Sequence, residues 1–192
     1  MNKLSLTLLL LMPSLIWSDG FEISLGEAFN LEQRVTINQG SESIAFDVGF
    51  KTNGLSSPQY YSIRYIKGSK DDRIEIELIH HKLYVEDNLP DEIQHFEITD
   101  GYNLLMINKS MMVGYDFRLR FGIGTVVSHP DIMVNGETNY IRGGGLIPKF
   151  WEDGYHWSGV SMQASVNYPI PITEIASMNV ECKLPIQIRL TR

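Results

Sequence analysis

The stretch VGYDFRLRFGIGTVV, residues 113–127, decides the fold, because apolar and polar side chains alternate along most of its length. The apolar parity carries Val113, Tyr115, Phe117, Leu119, Phe121, Ile123 and Val127. The opposite parity carries three glycines together with Asp116, Arg118 and Arg120. A period of two is typical of a β-strand whose two faces meet different surroundings. We therefore predict one long strand here.

The same alternation recurs along the chain, and helical periodicity is nearly absent. The predicted strands cover residues 21–30, 43–51, 60–67, 73–85, 93–107, 113–127, 156–168 and 174–184. Turn-forming residues separate most of them, including Asn-Lys-Ser at 108–110 and Pro-Ile-Pro at 169–171, and one long connection covers residues 128–154. The pattern predicts an all-β protein with about eight antiparallel strands.

The length of the strands and the character of their polar face favour a membrane barrel. Alternation persists for about 10 to 15 residues, whereas strands of soluble proteins average about 5–6. Charges assigned to the polar face balance, six against six: Asp47, Glu75, Glu77, Glu97, Asp116 and Glu181 against Lys51, Arg64, Arg73, Arg118, Arg120 and Lys183. Buried charges need partners, so this balance suits a filled interior. We predict an antiparallel, up-and-down transmembrane β-barrel; the alternative is a soluble periplasmic β-barrel or sandwich that carries a ligand.

The strand count leaves two arrangements open. Eight strands that begin in the periplasm place the 128–154 connection on the periplasmic side, where turns are normally short. Treating residues 21–39 as a separate hairpin or plug places that connection outside, but the barrel then lacks one strand.

Composition excludes several classes of protein. The chain has 192 residues, a formal net charge of −7 and one cysteine. The acidic balance opposes nucleic-acid binding, which requires a basic face. One cysteine allows no internal disulfide framework, and after residue 18 no run of 18 apolar residues predicts a transmembrane helix.

The first 18 residues have the pattern of a secretory signal peptide. Lys3 precedes an apolar run from Leu4 to Ile16, and Ser18 supplies a small residue for cleavage. We therefore expect residues 19–192 to form one exported domain, located in the outer membrane.

Residues able to carry chemistry are concentrated in two predicted strands, 75–84 and 95–103. By parity, Glu75, Glu77 and His81 should face the lumen together with His95, Glu97, Thr99 and Asn103, while His80, Lys82 and Asp100 take the lipid parity. One interpretation is an internal charge network. The other is a site in which His81, Glu97 and Asp100 transfer protons or bind a divalent cation, and Arg118, Arg120, Lys82 and Asn103 bind an anionic ligand. No Gly-x-Ser-x-Gly or His-Glu-x-x-His motif is present.

Short motifs across most of the chain resemble one family. They are Ser57-Pro58-x-Tyr60-Tyr61, His81-Lys82-x-Tyr84, the run from Phe96 to Asn103, Gly122-x-Gly124, Ser128-His129-Pro130, Ser158-Gly159 and Glu181-x-Lys183. The pattern is similar to a family of Gram-negative outer-membrane barrel proteins that includes the rhizobial lipid A oxidase.

The resemblance implies a location at the outer membrane, contact with membrane lipid and lipopolysaccharide, and oxygen-dependent oxidation of the proximal glucosamine of lipid A. It assigns no catalytic residues. Family members continue past the Glu-x-Lys strand into a last strand that ends in an aromatic residue, whereas this chain ends at residues 185–192, with Pro185 expected to interrupt any strand. Three functions follow: a monomeric structural or lipid A-interacting barrel, a lipid A-modifying enzyme, or a soluble ligand carrier.

Overall fold

The computed structural model describes residues 5–10, 14–17, 20–39, 41–53, 60–85, 89–114, 116–138, 155–173 and 176–189. The strands in these residues are β1 Ser5–Leu10, β2 Ser14–Trp17, β3 Phe21–Leu25, β4 Glu27–Asn30, β5 Gln33–Gln39, β6 Glu42–Val48, β7 Phe50–Lys51, β8 Tyr61–Gly68, β9 Asp72–Val85, β10 Ile93–Val113, β11 Phe117–Ser128, β12 Asp131–Val134, β13 Glu137–Thr138, β14 His156–Pro171 and β15 Ala176–Arg189. Among the described residues, none belongs to a helix long and apolar enough to span a membrane.

Eight of these strands form a closed antiparallel ring. β2, β3, β8, β9, β10, β11, β14 and β15 follow one another in that order, each paired with the next, and β15 pairs with β2. Towards one end of the ring, β1 also pairs with β15 and β4, and β7 joins β4 to β9. The predicted all-β, up-and-down antiparallel barrel is therefore confirmed.

One predicted wall strand is wrong. Residues 43–48 lie in β6, which pairs with β5 in a separate two-stranded sheet. Within the predicted strand 43–51, β7 is the part that pairs with the wall. Alternation did not distinguish the two cases because one face of this hairpin is also buried. The remaining place in the ring is taken by β1 and β2, which come from the segment predicted as a leader.

The two ends of the barrel differ in their connections. Residues 18–20, 69–71, 114–116 and 172–175 join neighbouring strands at what we call the short-turn end. Residues 31–60, 86–92 and 129–155 connect strands at the opposite, long-loop end. The β5–β6 hairpin and the β12–β13 hairpin both belong to this long-loop end.

Several predicted boundaries are also corrected. Residues 108–110 are not a turn, because β10 continues unbroken to Val113 and pairs with both neighbours there. The turn comes at Gly114, whose φ of +67° suits glycine, so residues 113–127 are not a single strand. Residues 169–171 belong to β14. Pro185 lies inside β15 opposite Gln163, at a point where the β1–β15 ladder has a gap, and it does not interrupt the strand.

The wall has an apolar outer face and a polar inner face over most of its height. On β11, Phe121 and Ile123 are 53% and 59% exposed, whereas Arg120 between neighbouring apolar residues is 1% exposed. β3, β8, β9 and β14 show the same alternation, with large apolar side chains outside and Ser, Asn, Gln, Glu or Arg inside. We call the exposed apolar band the belt. This polarity is the reverse of a soluble β-protein and is that of a transmembrane barrel.

The interior has two parts. At the long-loop end, buried apolar residues from the β5–β6 hairpin, β7, β9, β10 and β12 pack together in what we call the apolar core: Val35, Val48, Phe50, Leu83, Ile93, Phe96, Ile98, Ile132 and Val134. Towards the short-turn end the interior is polar and ionic, and we call this part the charged lumen. The barrel is therefore covered by the apolar core at its long-loop end.

Candidate functional site

The charged lumen is organised around Arg64 of β8, which is completely buried. Its Nη1 lies 2.7 Å from Glu22 Oε1, and its Nη2 lies 2.6 Å from Glu77 Oε1. Nη2 also donates to Glu181 Oε2 at 3.0 Å, and Nε lies 3.4 Å from Glu75 Oε2. Carboxylates from β3, β9 and β15 thus surround one guanidinium, whose planar fork of donors can serve several acceptors at once.

Three further bases complete the network. Arg120 forms ion pairs with Glu75 and Glu181, and Lys183 forms one with Glu77. Arg118 donates to Ser110 Oγ at 3.3 Å and to a backbone carbonyl in the 69–71 turn region. Within the described residues, this network joins four acids and four bases: Glu22, Glu75, Glu77 and Glu181 with Arg64, Arg118, Arg120 and Lys183. The formal charge of this network therefore cancels.

Neutral polar side chains donate further hydrogen bonds to Glu75 and Glu77. Asn108 Nδ2 donates to Glu77 Oε2 at 2.9 Å, and Gln163 Nε2 donates to the same oxygen at 2.7 Å. Ser110 Oγ donates to Glu75 Oε1. Space is tight, since a Cβ atom at Gly122 would overlap the Asn108 side chain. The structure thus contains an internal charge network, which is the first of the two interpretations that the sequence left open.

His81 lies inside the barrel, between the charged lumen and the apolar core. It is 2% exposed, and its Nε2 is hydrogen-bonded to Thr52 Oγ1 at 2.8 Å. Tyr60 and Tyr102 pack edge-on against its ring, with centroids 5.7 and 6.1 Å away. The ring of His81 is therefore buried among these three side chains and has little contact with solvent.

A polar and aromatic rim marks the edge of the belt towards the long-loop end. His80 faces outward, with its Nδ1 2.8 Å from Asn103 Oδ1 and its ring stacked on Tyr61 at 4.9 Å. Further round the wall, Trp157 Nε1 donates to Thr125 Oγ1. The strand register places these residues at one level. Tyr61 pairs with His80, and His80 pairs with Asn103. Asn103 and Trp157 both pair with Val127 of β11. Such residues are typical of the membrane–water interface.

An acid–histidine cluster lies on the outer wall beyond this rim. His95 Nε2 is 3.6 Å from Glu97 Oε1 on β10 and 3.6 Å from Asp131 Oδ2 on β12. Thr99 Oγ1 donates to the same Glu97 oxygen at 2.9 Å. All three acid–histidine side chains are partly exposed.

The structure corrects the predicted face of β10. His95, Glu97 and Asn103 lie outside the barrel, on the face opposite Phe96 and Met106, and not in the lumen with Glu75, Glu77 and His81. Both faces of β10 carry apolar residues, so the alternation that identified the strand did not identify its inner face. The placement of His80 on the outer parity agrees with the prediction.

The residues predicted to share a site are therefore dispersed. His81 is inside and Glu97 outside, and the side chain of Asp100 lies outside the described residues. Arg118 and Arg120 belong to the charged lumen, and Asn103 belongs to the rim. Lys82 is buried, with its Nζ 5.9 Å from the centroid of the Tyr84 ring.

Two contributors were not predicted as parts of a site. Glu22 comes from a short strand with a weak pattern, and Asn108 from a triplet that resembled a turn. Parity would have placed Glu22 inside once β3 was assigned to the wall.

The closed ring, apolar belt and charge-paired lumen define the class of protein: an antiparallel, up-and-down β-barrel with the polarity of a transmembrane barrel. No protein-family model matches the chain, and a comparison with curated proteins found no match. Among solved structures, the chain is similar to the crystal structure of Ail, the attachment invasion locus protein of Yersinia pestis. The identity is 7% and the TM-score 0.38, over 99% of this chain and 100% of that one. With so low a TM-score, the fold assignment rests on the strand pairings alone.

Proposed function

We propose that the chain is an integral outer-membrane β-barrel protein with a structural or lipid A-interacting role. The observation that carries this proposal is the reversed polarity of the wall. Exposed apolar side chains ring the barrel, while a guanidinium that forms ion pairs with four carboxylates lies at its centre. Monomeric soluble proteins rarely expose a continuous apolar band of this size, whereas lipid covers one favourably.

The arrangement of connections supports an orientation. Short turns of bacterial barrels face the periplasm and long loops face outward. On that basis residues 31–60, 86–92 and 129–155 lie at the cell surface. Cleavage after residue 18 would make β3 the first strand and place the mature N-terminus at the short-turn end, in the periplasm.

Contact with lipopolysaccharide is supported by the position of the rim. Tyr61, His80 and Asn103 end the belt on the long-loop side, and polar and aromatic residues in such a position suit contact with lipid head groups. The family resemblance points to the same lipid. Within the described residues of the uncleaved chain, β2 closes the ring between β15 and β3, and on that pairing we expect the barrel to act as a monomer.

Fractionation and heat modifiability test the membrane assignment. We expect the protein to remain in the membrane pellet after washing with high salt and with alkaline carbonate. We also expect the unboiled protein to migrate faster than the boiled protein on a denaturing gel, because a closed barrel resists detergent. Release by salt alone would contradict the proposal and favour the soluble ligand carrier.

A second candidate function, lipid A modification, is favoured by the acid–histidine cluster and by His80, which lie on the outer wall near head-group level. Carboxylates and imidazoles can transfer protons or bind cations there. Mass spectrometry of lipid A from cells with and without the gene tests this function. The oxidase analogy predicts a species heavier by one oxygen atom, which disappears in Glu97→Gln and persists in the exposed-hairpin variant Asp47→Asn. An identical lipid A spectrum with and without the gene would leave the non-catalytic role.

A further inference from the structure

The acid–histidine cluster has the separations of a metal site. The ligand atoms of His95, Glu97 and Asp131 all lie within 4.8 Å of one another, and the two distances to His95 Nε2 are both 3.6 Å. Two ligands that each bind a transition metal at about 2.1 Å stand about 3.4 Å apart in tetrahedral geometry. Both distances to His95 Nε2 are close to that value, and all three side chains are partly exposed, so that small rotations can adjust the separation of the two carboxylates.

The pairing of the two strands favours a positive charge at this point. Glu97 and Asp131 are direct cross-strand partners in the β10–β12 ladder. Like charges at such positions are destabilising. Among the described residues, neither carboxylate forms an ion pair with a lysine or arginine, and His95 is the partner they share. A cation held between these side chains would remove the repulsion and use the imidazole as a ligand.

We propose that His95, Glu97 and Asp131 form a binding site for a first-row divalent transition metal ion such as Zn²⁺. One imidazole and two carboxylates suit these ions, whereas Ca²⁺ and Mg²⁺ prefer oxygen ligands alone. Three protein ligands leave a further coordination position open to water or another oxygen ligand. The site does not depend on the membrane assignment, because it requires only that β10 and β12 pair.

Thr99 acts as a positioning residue for this site. Its hydroxyl donates to Glu97 Oε1 at 2.9 Å and so fixes the orientation of that carboxylate. Partners of this kind tune metal affinity without touching the ion.

Calorimetric titration of the full chain, folded in detergent without a polyhistidine tag, tests the proposal with Zn²⁺ and Ca²⁺ as probes. We expect one Zn²⁺ ion per chain and no comparable binding of Ca²⁺. Affinity for Zn²⁺ should fall by more than about 100-fold in His95→Ala, Glu97→Gln and Asp131→Asn, and by about 10-fold in Thr99→Ala. Heat modifiability of each variant verifies that it is folded.

The matched control is Asp47→Asn, which removes an exposed carboxylate from the hairpin at the same end of the barrel. Its Zn²⁺ affinity should equal that of the unaltered chain. The proposal is overturned if folded Glu97→Gln and Asp131→Asn bind Zn²⁺ as tightly as the unaltered chain. Equal loss in Asp47→Asn, or Zn²⁺ binding that survives in His95→Ala, would also overturn it.

Discussion

The two halves of the interior are held together by opposite means within one continuous wall. Near the short-turn end, ion pairs and amide hydrogen bonds fill the lumen around Arg64. Near the long-loop end, the same strands β9 and β10 enclose Leu83, Phe96 and Ile98, covered by the β5–β6 hairpin. Contact with lipid therefore constrains only the outer face of the wall. The inner face is free to be ionic or apolar, provided that its buried charges are paired.

The largest expected effect comes from removing the central cation of the charged lumen. Arg64→Met leaves the surrounding carboxylates without their shared partner, so the free energy of unfolding should fall by about 3–5 kcal/mol. Urea titration followed by the heat-modifiability gel measures this change. Arg34→Met is the control, because Arg34 pairs with Asp47 on the exposed hairpin, where an ion pair contributes about 0–1 kcal/mol. Equal losses in the two variants would contradict the role given to the lumen.

Substitutions in the apolar core should change the free energy of unfolding through packing alone. Phe96 is 6% exposed and meets Phe46 and Phe50 edge-on at 6.4 and 5.7 Å. Phe96→Ala should lower the free energy of unfolding by about 3–4 kcal/mol through the cavity it leaves. This loss should be insensitive to salt. A loss that disappears at high salt would show that electrostatic interactions extend into this half.

The belt should tolerate apolar exchange and reject charge. Ile107 is 61% exposed at the middle of β10. Ile107→Lys should cost about 2–4 kcal/mol in lipid because a charge then faces the bilayer. Ile107→Leu, the matched control, should change stability little. If the lysine variant is as stable as the leucine variant in vesicles, this part of the wall does not face lipid.

The last prediction concerns the presence of the first strand in the mature protein, and it is read from the mass of the chain. Residues 1–18 are predicted to be cleaved, yet β1 and β2 from this segment complete the ring against β15. The intact mass of the membrane-purified protein distinguishes the two expectations. Loss of the first 18 residues would leave β3 and β15 as facing edges. Retention of Met1 would contradict the predicted leader.

The sequence was sufficient to predict the antiparallel barrel and the inward direction of Glu75, Glu77 and Arg120, because their strands have one clearly apolar face. It was insufficient for β10, where Leu104 and Met106 inside are matched by Leu105 and Ile107 outside. When both faces of a strand meet apolar surroundings, alternation does not show which face points into the barrel. The hairpin at 33–48 was missed for a related reason, since its buried face produces the pattern of a wall strand.

The alternation of side chains along the strands also could not predict that His95, Glu97 and Asp131 lie together. Asp131 follows the long strand β11 in a region predicted as loop, and only the return of β12 onto β10 brings it opposite Glu97. Local sequence gives no indication of that pairing.

The most direct test of the account is the direction of side chains along the middle of β10. Leu105, Met106 and Ile107 are replaced by cysteine one at a time in a Cys182→Ala background, spin-labelled and reconstituted in lipid vesicles. Oxygen, which dissolves in lipid, should relax the labels at positions 105 and 107 strongly and the label at 106 weakly. Strong relaxation at 106 with weak relaxation at 105 and 107 would contradict a wall that is apolar towards lipid and filled within.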